Sequence, residues 1–312
     1  MAVYTVVTAE ALTNLLAIYD VGQLVSAKGI AEGVENTNYM VDTTAGRFIL
    51  TLYEKRVDET ELPFFLSLLD HLADRELPVP RAVRDKHGMQ LQSVAGRPAC
   101  LIEFLPGFSV SVPTSAQAHA CGAALGTMHR AAADFSGQRF NALGLAGWHD
   151  LASRCGGDLN SISPRLGERV GQELDWLKAN WPRNLATSVI HADLFPDNVL
   201  MRGDTVGGII DFYFACTEIR AWDVAVTHAA WSFDGDGRHY AAAIGDAIMA
   251  GYGETHGLSD EEHAAFPALA RGACLRFLLT RAWDWLNTPA GALVTKKDPL
   301  AFLRRLDHYA AL

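Results

Sequence analysis

The 312-residue chain has no Cys-x-x-Cys pair, and its five cysteines, at 100, 121, 155, 216 and 274, stand far apart. An odd number leaves one over from any disulfide set, so the pattern fits a reducing compartment, and the cytoplasm is the expected location. Zinc-ligand spacings, internal repeats and low-complexity tracts are missing as well. No run reaches the roughly 18 apolar residues of a membrane-spanning helix. The first residues, Met1 to Thr8, lack the basic start and continuous apolar core of an export signal. Basic residues are also in deficit, 26 Lys and Arg against 36 Asp and Glu for a net charge of −10. Nucleic acid and anionic membranes reward a basic surface, so neither is an expected partner, and a small molecule is. Nothing in the sequence fixes an oligomeric state.

With 49% hydrophobic residues, the chain can build a sizeable core in two domains or one two-lobed one. Its most informative stretch is 189 to 214. His191, Asp193, Asn198 and Asp211 are set there among apolar runs that should be buried, where polar groups need partners. A carboxylate, an amide and a second carboxylate on the arms of one turn suit Mg²⁺ and phosphate. His-x-Asp-x-x-x-x-Asn is also the spacing of a kinase catalytic loop, in which the Asp accepts the substrate hydroxyl proton and the Asn holds a metal. Ile-Ile-Asp211-Phe then supplies the second metal-binding carboxylate, on a strand returning from a hairpin that turns at Arg202 to Thr205. Each piece alone has a structural reading as turn or cap; the four in this order do not.

Thr8 caps a helix expected to run to about Tyr19. Residues 23 to 56 alternate and turn like antiparallel strands, and Gly29 and Gly33 there could let the backbone approach phosphates, although the stretch is not Gly-x-Gly-x-x-Gly. A helix over Pro63 to Asp74 and strands at 90–94 and 98–105 follow, and Pro106-Gly107 stops the sheet. Beyond it the chain turns helical. Thr114 opens a capping box before a helix to about Ala133, whose Ala120, Gly122, Ala123 and Gly126 permit close packing. His129 near its end reads as a packed or capping histidine. Residues 134 to 162 read as loop-rich, with five glycines between Gly137 and Gly157. Helices are expected from Pro164, over Ala221 to Trp231, Ala241 to Tyr252, Phe266 to Trp285 and Pro299 to Tyr309, with a second capping box at Ser259 to Glu262.

Five segments carry a family resemblance: Lys28 to Tyr39, Phe48 to Arg56, Val189 to Asn198, Ile209 to Cys216 and Arg276 to Pro289. Through them nearly the whole chain resembles the aminoglycoside and choline kinase branch of the protein-kinase-like fold, and within it the bacterial homoserine kinases. The resemblance implies an α+β, two-lobed protein-kinase-like fold: a small antiparallel β-sheet N-lobe over 1–105 for the nucleotide, and a mainly helical C-lobe over 106–312 for catalysis and the acceptor. It implies phosphoryl transfer from ATP, with Mg²⁺, to the side-chain hydroxyl of L-homoserine, a step toward threonine. Asp193 would be the catalytic Asp, His191 a structural member of its loop, Asn198 and Asp211 the metal ligands, and Asp223 the residue that bonds the loop from the next helix. The strand from Glu103 to Leu105 would offer backbone groups to adenine.

The chain departs from the family at Thr51, which stands where relatives carry a lysine that contacts the phosphates. Lys55, four residues on along the same strand face, and Lys28 are the alternative phosphate contacts, with Glu59 or Glu61 as acidic partners. Homoserine is a zwitterion. Arg281 and Arg276 are the candidates for its carboxylate, where a planar guanidinium has the advantage. Glu218 and Asp284 are candidates for its ammonium, and Tyr213 for lining its pocket. Competing readings are a kinase for another hydroxyl compound, an amino alcohol or aminoglycoside; a dead nucleotide-binding module; and a metallohydrolase, which lacks further His ligands nearby.

Overall fold

The computed structural model describes residues 4–30, 36–54, 58–289 and 296–312. The chain divides into two compact units, the first made of Met1–Pro106 with Gly208–Tyr213, the second of Gly107–Gly207 with Phe214–Leu312.

In the first unit the Thr8 side chain accepts from the Ala11 N–H and starts α1 (Ala9–Leu16). The helix ends three residues before Tyr19, and tighter turns carry the chain on, the N–H groups of Ile18 and Tyr19 reaching Leu15 and Leu16. Strands β1 (Leu24–Ile30), β2 (Thr37–Thr43), β3 (Gly46–Leu52), β4 (Gln92–Val94) and β5 (Arg97–Glu103) form an antiparallel sheet in the order β1-β2-β3-β5-β4. Alternation along the central strands buries both faces. Leu50, Leu52, Ala99 and Leu101 pack with Leu12, Leu15 and Leu16 of α1. Cys100 and Ile102 face the other way, toward Phe65 and Leu66 of α2 (Leu62–Ala73), which begins with Pro63 in its first turn.

In the second unit, α3 (Ser115–Ala131) starts at the Thr114 capping box. The stretch expected to be loop-rich instead holds α4 (Leu145–Cys155) and the short α5 (Leu159–Ile162). Its glycines are helix boundaries, Gly144 before α4 and Gly156, at φ 51°, after it, while Trp148, Leu151 and Cys155 give α4 a buried stripe. There follow α6 (Leu166–Asn180), β6 (Thr187–Ile190), the hairpin of β7 (Val199–Arg202) and β8 (Thr205–Ile209), the last two residues of which belong to the first unit, then β9 (Cys216–Ile219), α7 (Arg220–Trp231), α8 (Ala242–Thr255), α9 (Asp260–Asn287) and α10 (Leu300–Ala310). The Ser259 capping box nucleates α9 well before Phe266, and the helix continues through Pro267. Small residues on α3 do what their size permits. A Cβ on Gly122 would lie 2.1 Å from the Ile248 carbonyl oxygen, and one on Gly251 2.0 Å from that of His119, so α3 and α8 meet backbone to backbone.

Helix α7 is the centre of this unit, buried from Ala221 to Trp231. Trp222, Ala225, Val226 and Ala229 join its core with Leu269, Ala273, Leu278 and Phe302. No described helix is long and apolar enough to cross a membrane.

Candidate active site

Strand β6 delivers the chain to His191, and its antiparallel partner β9 starts beside it, Ile190 facing Cys216. The loop that follows, His191 to Asn198, is held by side chains from distant parts of the second unit. Asp223, in the first turn of α7 and fully buried, accepts from the His191 N–H at 2.8 Å through Oδ2 and from the Ala192 N–H at 2.7 Å through Oδ1. His129 lies 3.1 Å from the same Oδ2 through Nε2, and its Nδ1 is 3.0 Å from the Tyr252 hydroxyl. Burial works against the Asp223 charge, but its bonds with His129 and the His191 backbone outweigh that and hold the carboxyl below its ordinary value. His129 is thus a packed residue.

Ala192 has φ 63°, a left-handed conformation that costs a residue with a Cβ about 1 to 2 kcal/mol. The loop accepts it because both of its backbone groups are satisfied, the N–H by Asp223 and the carbonyl by the Arg276 guanidinium. The Asp193 N–H then donates to His191 Nδ1 at 3.2 Å. On the far side of the loop the Asn198 amide nitrogen donates to the Asp193 carbonyl at 2.8 Å and to its carboxylate Oδ2 at 3.2 Å. This orients Asn198 so that Oδ1 is the side-chain atom left for a cation. Leu194 is fully buried with its carbonyl bonded by Trp231 Nε1 at 3.0 Å, and Phe195 packs against Phe277 and Phe302. The loop therefore rests on a fixed floor, with Asp193 and Asn198 joined at its rim.

Asp211 ends the hairpin. It is exposed, has φ 67°, and leads into a tight turn over Phe212–Phe214. Within the first unit Tyr213 packs edge-on against Tyr53 and Phe65, its hydroxyl 3.5 Å from that of Tyr53, and burial lifts its phenol well above the ordinary value. Thr51 is 3% exposed and donates to Asn38 Oδ1 at 2.7 Å, so the strand position expected of a phosphate-contacting lysine holds a neutral, hydrogen-bonded side chain. Lys28 is exposed on β1 opposite Met40, and Gly29 pairs with Tyr39. Gly33 and Lys55 lie outside the described residues. Glu59 and Glu61 form the tight turn before α2. At the end of β5 the Glu103 N–H donates to the Arg81 carbonyl at 2.9 Å, and Leu105 follows two residues on.

The acceptor candidates separate. Arg281 donates to the Asp298 carbonyl at 3.2 Å and lies over the Phe302 ring. Burial, then the neighbouring Arg305, pulls its guanidinium down to about 10, while Asp197, Asp298 and Asp193 pull it back, so Arg281 lies within electrostatic reach of Asp193. Arg276, one and a half turns earlier on α9, is 2% exposed, bonded to Ala192 and enclosed by Phe214, Trp222 and Phe277. That enclosure holds its guanidinium against the Ala192 carbonyl. Glu218 accepts from Asn141 Nδ2 at 3.0 Å and from the Ile219 N–H at 2.8 Å, opposite Ser188 on β6. Asp284 sits in the last turn of α9, its carbonyl capped by Thr288. An ion pair of Lys297 with Asp197 at 3.4 Å was not foreseen; the signal was Asp197 itself, beside Asn198 in the motif. Among the described residues no cluster of three or more His, Cys, Asp or Glu could hold a metal by itself.

Residues 26–259 match the phosphotransferase enzyme family. The chain is 54% identical over 311 residues, 99% of its own length and 97% of the other's, to a homoserine kinase of Zymomonas mobilis. Among solved structures it resembles an amicoumacin kinase in complex with AMP-PNP and Ca²⁺, with TM-score 0.72, 16% identity, and 97% of this chain and 92% of that one covered. It also resembles a choline kinase from Cryptosporidium parvum, with TM-score 0.70, 13% identity and coverage of 97% and 95%. The fold is thus the protein-kinase-like α+β fold of these neighbours, and the match over most of the chain establishes that it belongs to the phosphotransferase enzyme family.

Proposed function

We propose that the protein is an ATP-dependent kinase that phosphorylates the side-chain hydroxyl of L-homoserine to O-phospho-L-homoserine, a step toward threonine, in the cytoplasm. The observation that carries this reading is the loop in which Asn198 is bonded to Asp193 while Asp223 holds the backbone beneath them. Full-length identity of 54% to the Zymomonas homoserine kinase supports the choice of acceptor. The five buried, unpaired cysteines agree with a reducing compartment.

Asp193 takes or orients the hydroxyl proton as the acceptor oxygen attacks the γ-phosphorus, whose bond to the β,γ-bridging oxygen breaks so that ADP leaves. Asn198 Oδ1 and the Asp211 carboxylate are hard oxygen donors of the kind Mg²⁺ prefers, and they would hold it. Bound there, Mg²⁺ would supply neutralisation of the phosphate charge. His191 and Asp223 hold the loop. With Thr51 neutral and bonded to Asn38, phosphate contacts fall to Lys28, Lys55 or the backbone from Gly29 to Gly33. Backbone groups from Glu103 to Leu105 meet adenine, so residues 1–105 serve the nucleotide and 106–312 the chemistry. Arg281 takes the homoserine carboxylate, Glu218 or Asp284 the ammonium, and Tyr213 shapes the acceptor side.

The test is ADP release with ATP, Mg²⁺ and a panel of acceptors at equal concentration. L-homoserine should be the fastest, and choline, which has no carboxylate for Arg281, should be poor. Faster turnover with choline or an aminoglycoside would remove the homoserine assignment and leave the kinase.

A further inference from the structure

The peptide unit joining Ala192 to Asp193 is gripped at both ends. A trans peptide is planar, with its C=O and N–H pointing in opposite directions. The oxygen of this one accepts from Arg276 Nη1, and its N–H donates to His191 Nδ1 at 3.2 Å. A plane fixed at both edges cannot rotate about its Cα–Cα axis, and Asp193 Cα is one end of that axis. The grip is expensive to build. Arg276 is 2% exposed, 84 residues from the group it bonds, and its guanidinium lies 4.4 Å from the Phe277 ring centroid and 5.0 Å from that of Phe214. Buried arginines are retained where a planar, permanently charged donor between aromatic faces is needed, a geometry lysine does not reproduce. The acceptor it serves sits in the strained left-handed residue directly before Asp193.

We propose that Arg276 is a positioning residue for phosphoryl transfer: it locks the Ala192–Asp193 peptide plane, with His191 as the opposing jaw, and so sets the direction of the Asp193 carboxylate. Its role is in turnover, with no contact to the acceptor. The inference rests on the reading of Asp193 as the base or orienter of the acceptor hydroxyl. Release of the plane lets the carboxylate swing, and misplacement of a reacting group by about 1 Å costs on the order of 10²-fold in rate.

The experiment compares kcat and both KM values for wild type, Arg276→Lys and Arg276→Met, with calorimetric melting to establish the folded fraction. The lysine variant keeps a charged donor and serves as the milder case should methionine fold poorly. The expected order of kcat is wild type, then lysine, then methionine about 10²-fold down, with KM for ATP and for homoserine changed no more than about threefold. Guanidinium at millimolar concentration should raise kcat of Arg276→Ala and leave Asp193→Asn unchanged. Equal kcat in all three proteins, a loss that follows only the folded fraction, or a change confined to the homoserine KM would each overturn the proposal. The last of these would make Arg276 a substrate ligand. The underlying reading fails separately, if the wild type phosphorylates no hydroxyl acceptor or if Asp193→Asn keeps full turnover.

Discussion

Replacing Asp223 tests the scaffold beneath the loop from His191 to Asn198. Its carboxylate is fully buried and accepts two backbone N–H groups, at 2.8 and 2.7 Å, besides its contact with His129 at 3.1 Å. Asn keeps one acceptor oxygen but turns an N–H toward the second donor. One charged hydrogen bond is lost, so Asp223→Asn should cost about 1.5 to 3 kcal/mol of stability. Asp223→Ala leaves both donors and His129 without the carboxylate, and should cost about 3 to 5 kcal/mol. The effect depends on pH. Because the folded carboxyl is held below its ordinary value, its contribution is complete above the ordinary carboxylate range and is lost as pH falls through the lowered folded value. Asp223→Asn should therefore weaken the protein most near neutrality and flatten the acid limb of its stability profile. Urea melts from pH 3 to 8 measure this, and kcat measured alongside should fall about 10²-fold as the loop loosens. A variant with wild-type melts and wild-type turnover would refute the argument that Asp223 holds the loop.

Three further outcomes follow from named contacts. Asp211→Ala should need more Mg²⁺ for half-maximal activity than Asn198→Ala, since it removes a formal charge; titration of activity with Mg²⁺ checks the order, and unchanged requirements in both would contradict the metal assignment. Arg281→Ala should raise the homoserine KM by orders of magnitude while sparing that of ATP, given the loss of a largely buried charge partner within reach of Asp193; equal effects on both would point to folding. Gly251→Ala places a methyl 2.0 Å from the His119 carbonyl oxygen and should destabilise by about 1 to 3 kcal/mol in a urea melt, with no loss expected if α3 and α8 can part freely.

What could be read from the sequence was what is local. The Thr8 cap, the capping boxes at Thr114 and Ser259, the hairpin between Asn198 and Asp211 and the apolar strand runs of β3 and β5 depend on residues a few positions apart. The order His191, Asp193, Asn198, Asp211 is likewise a contiguous signal. The helices α4 and α5 were hidden because glycine counts toward loops wherever it stands, and here Gly144 and Gly156 mark helix ends. The place of Arg276 was hidden for another reason. Spacing put it on α9 with Arg281, but its partner is a carbonyl 84 residues away, and His129 meets Asp223 across 94. Burial of a charged side chain is a property of the assembled core, and no local pattern announces it.

The most direct test of the central claim follows the product itself. Wild-type protein, ATP, Mg²⁺ and L-homoserine should yield O-phospho-L-homoserine, seen as a new phosphate-ester resonance by phosphorus NMR. Asp193→Asn should make it about 10² to 10⁴ times more slowly while binding ATP with wild-type affinity by calorimetry. Absence of the ester with the wild-type protein, or its formation at an unchanged rate by Asp193→Asn, would contradict the account.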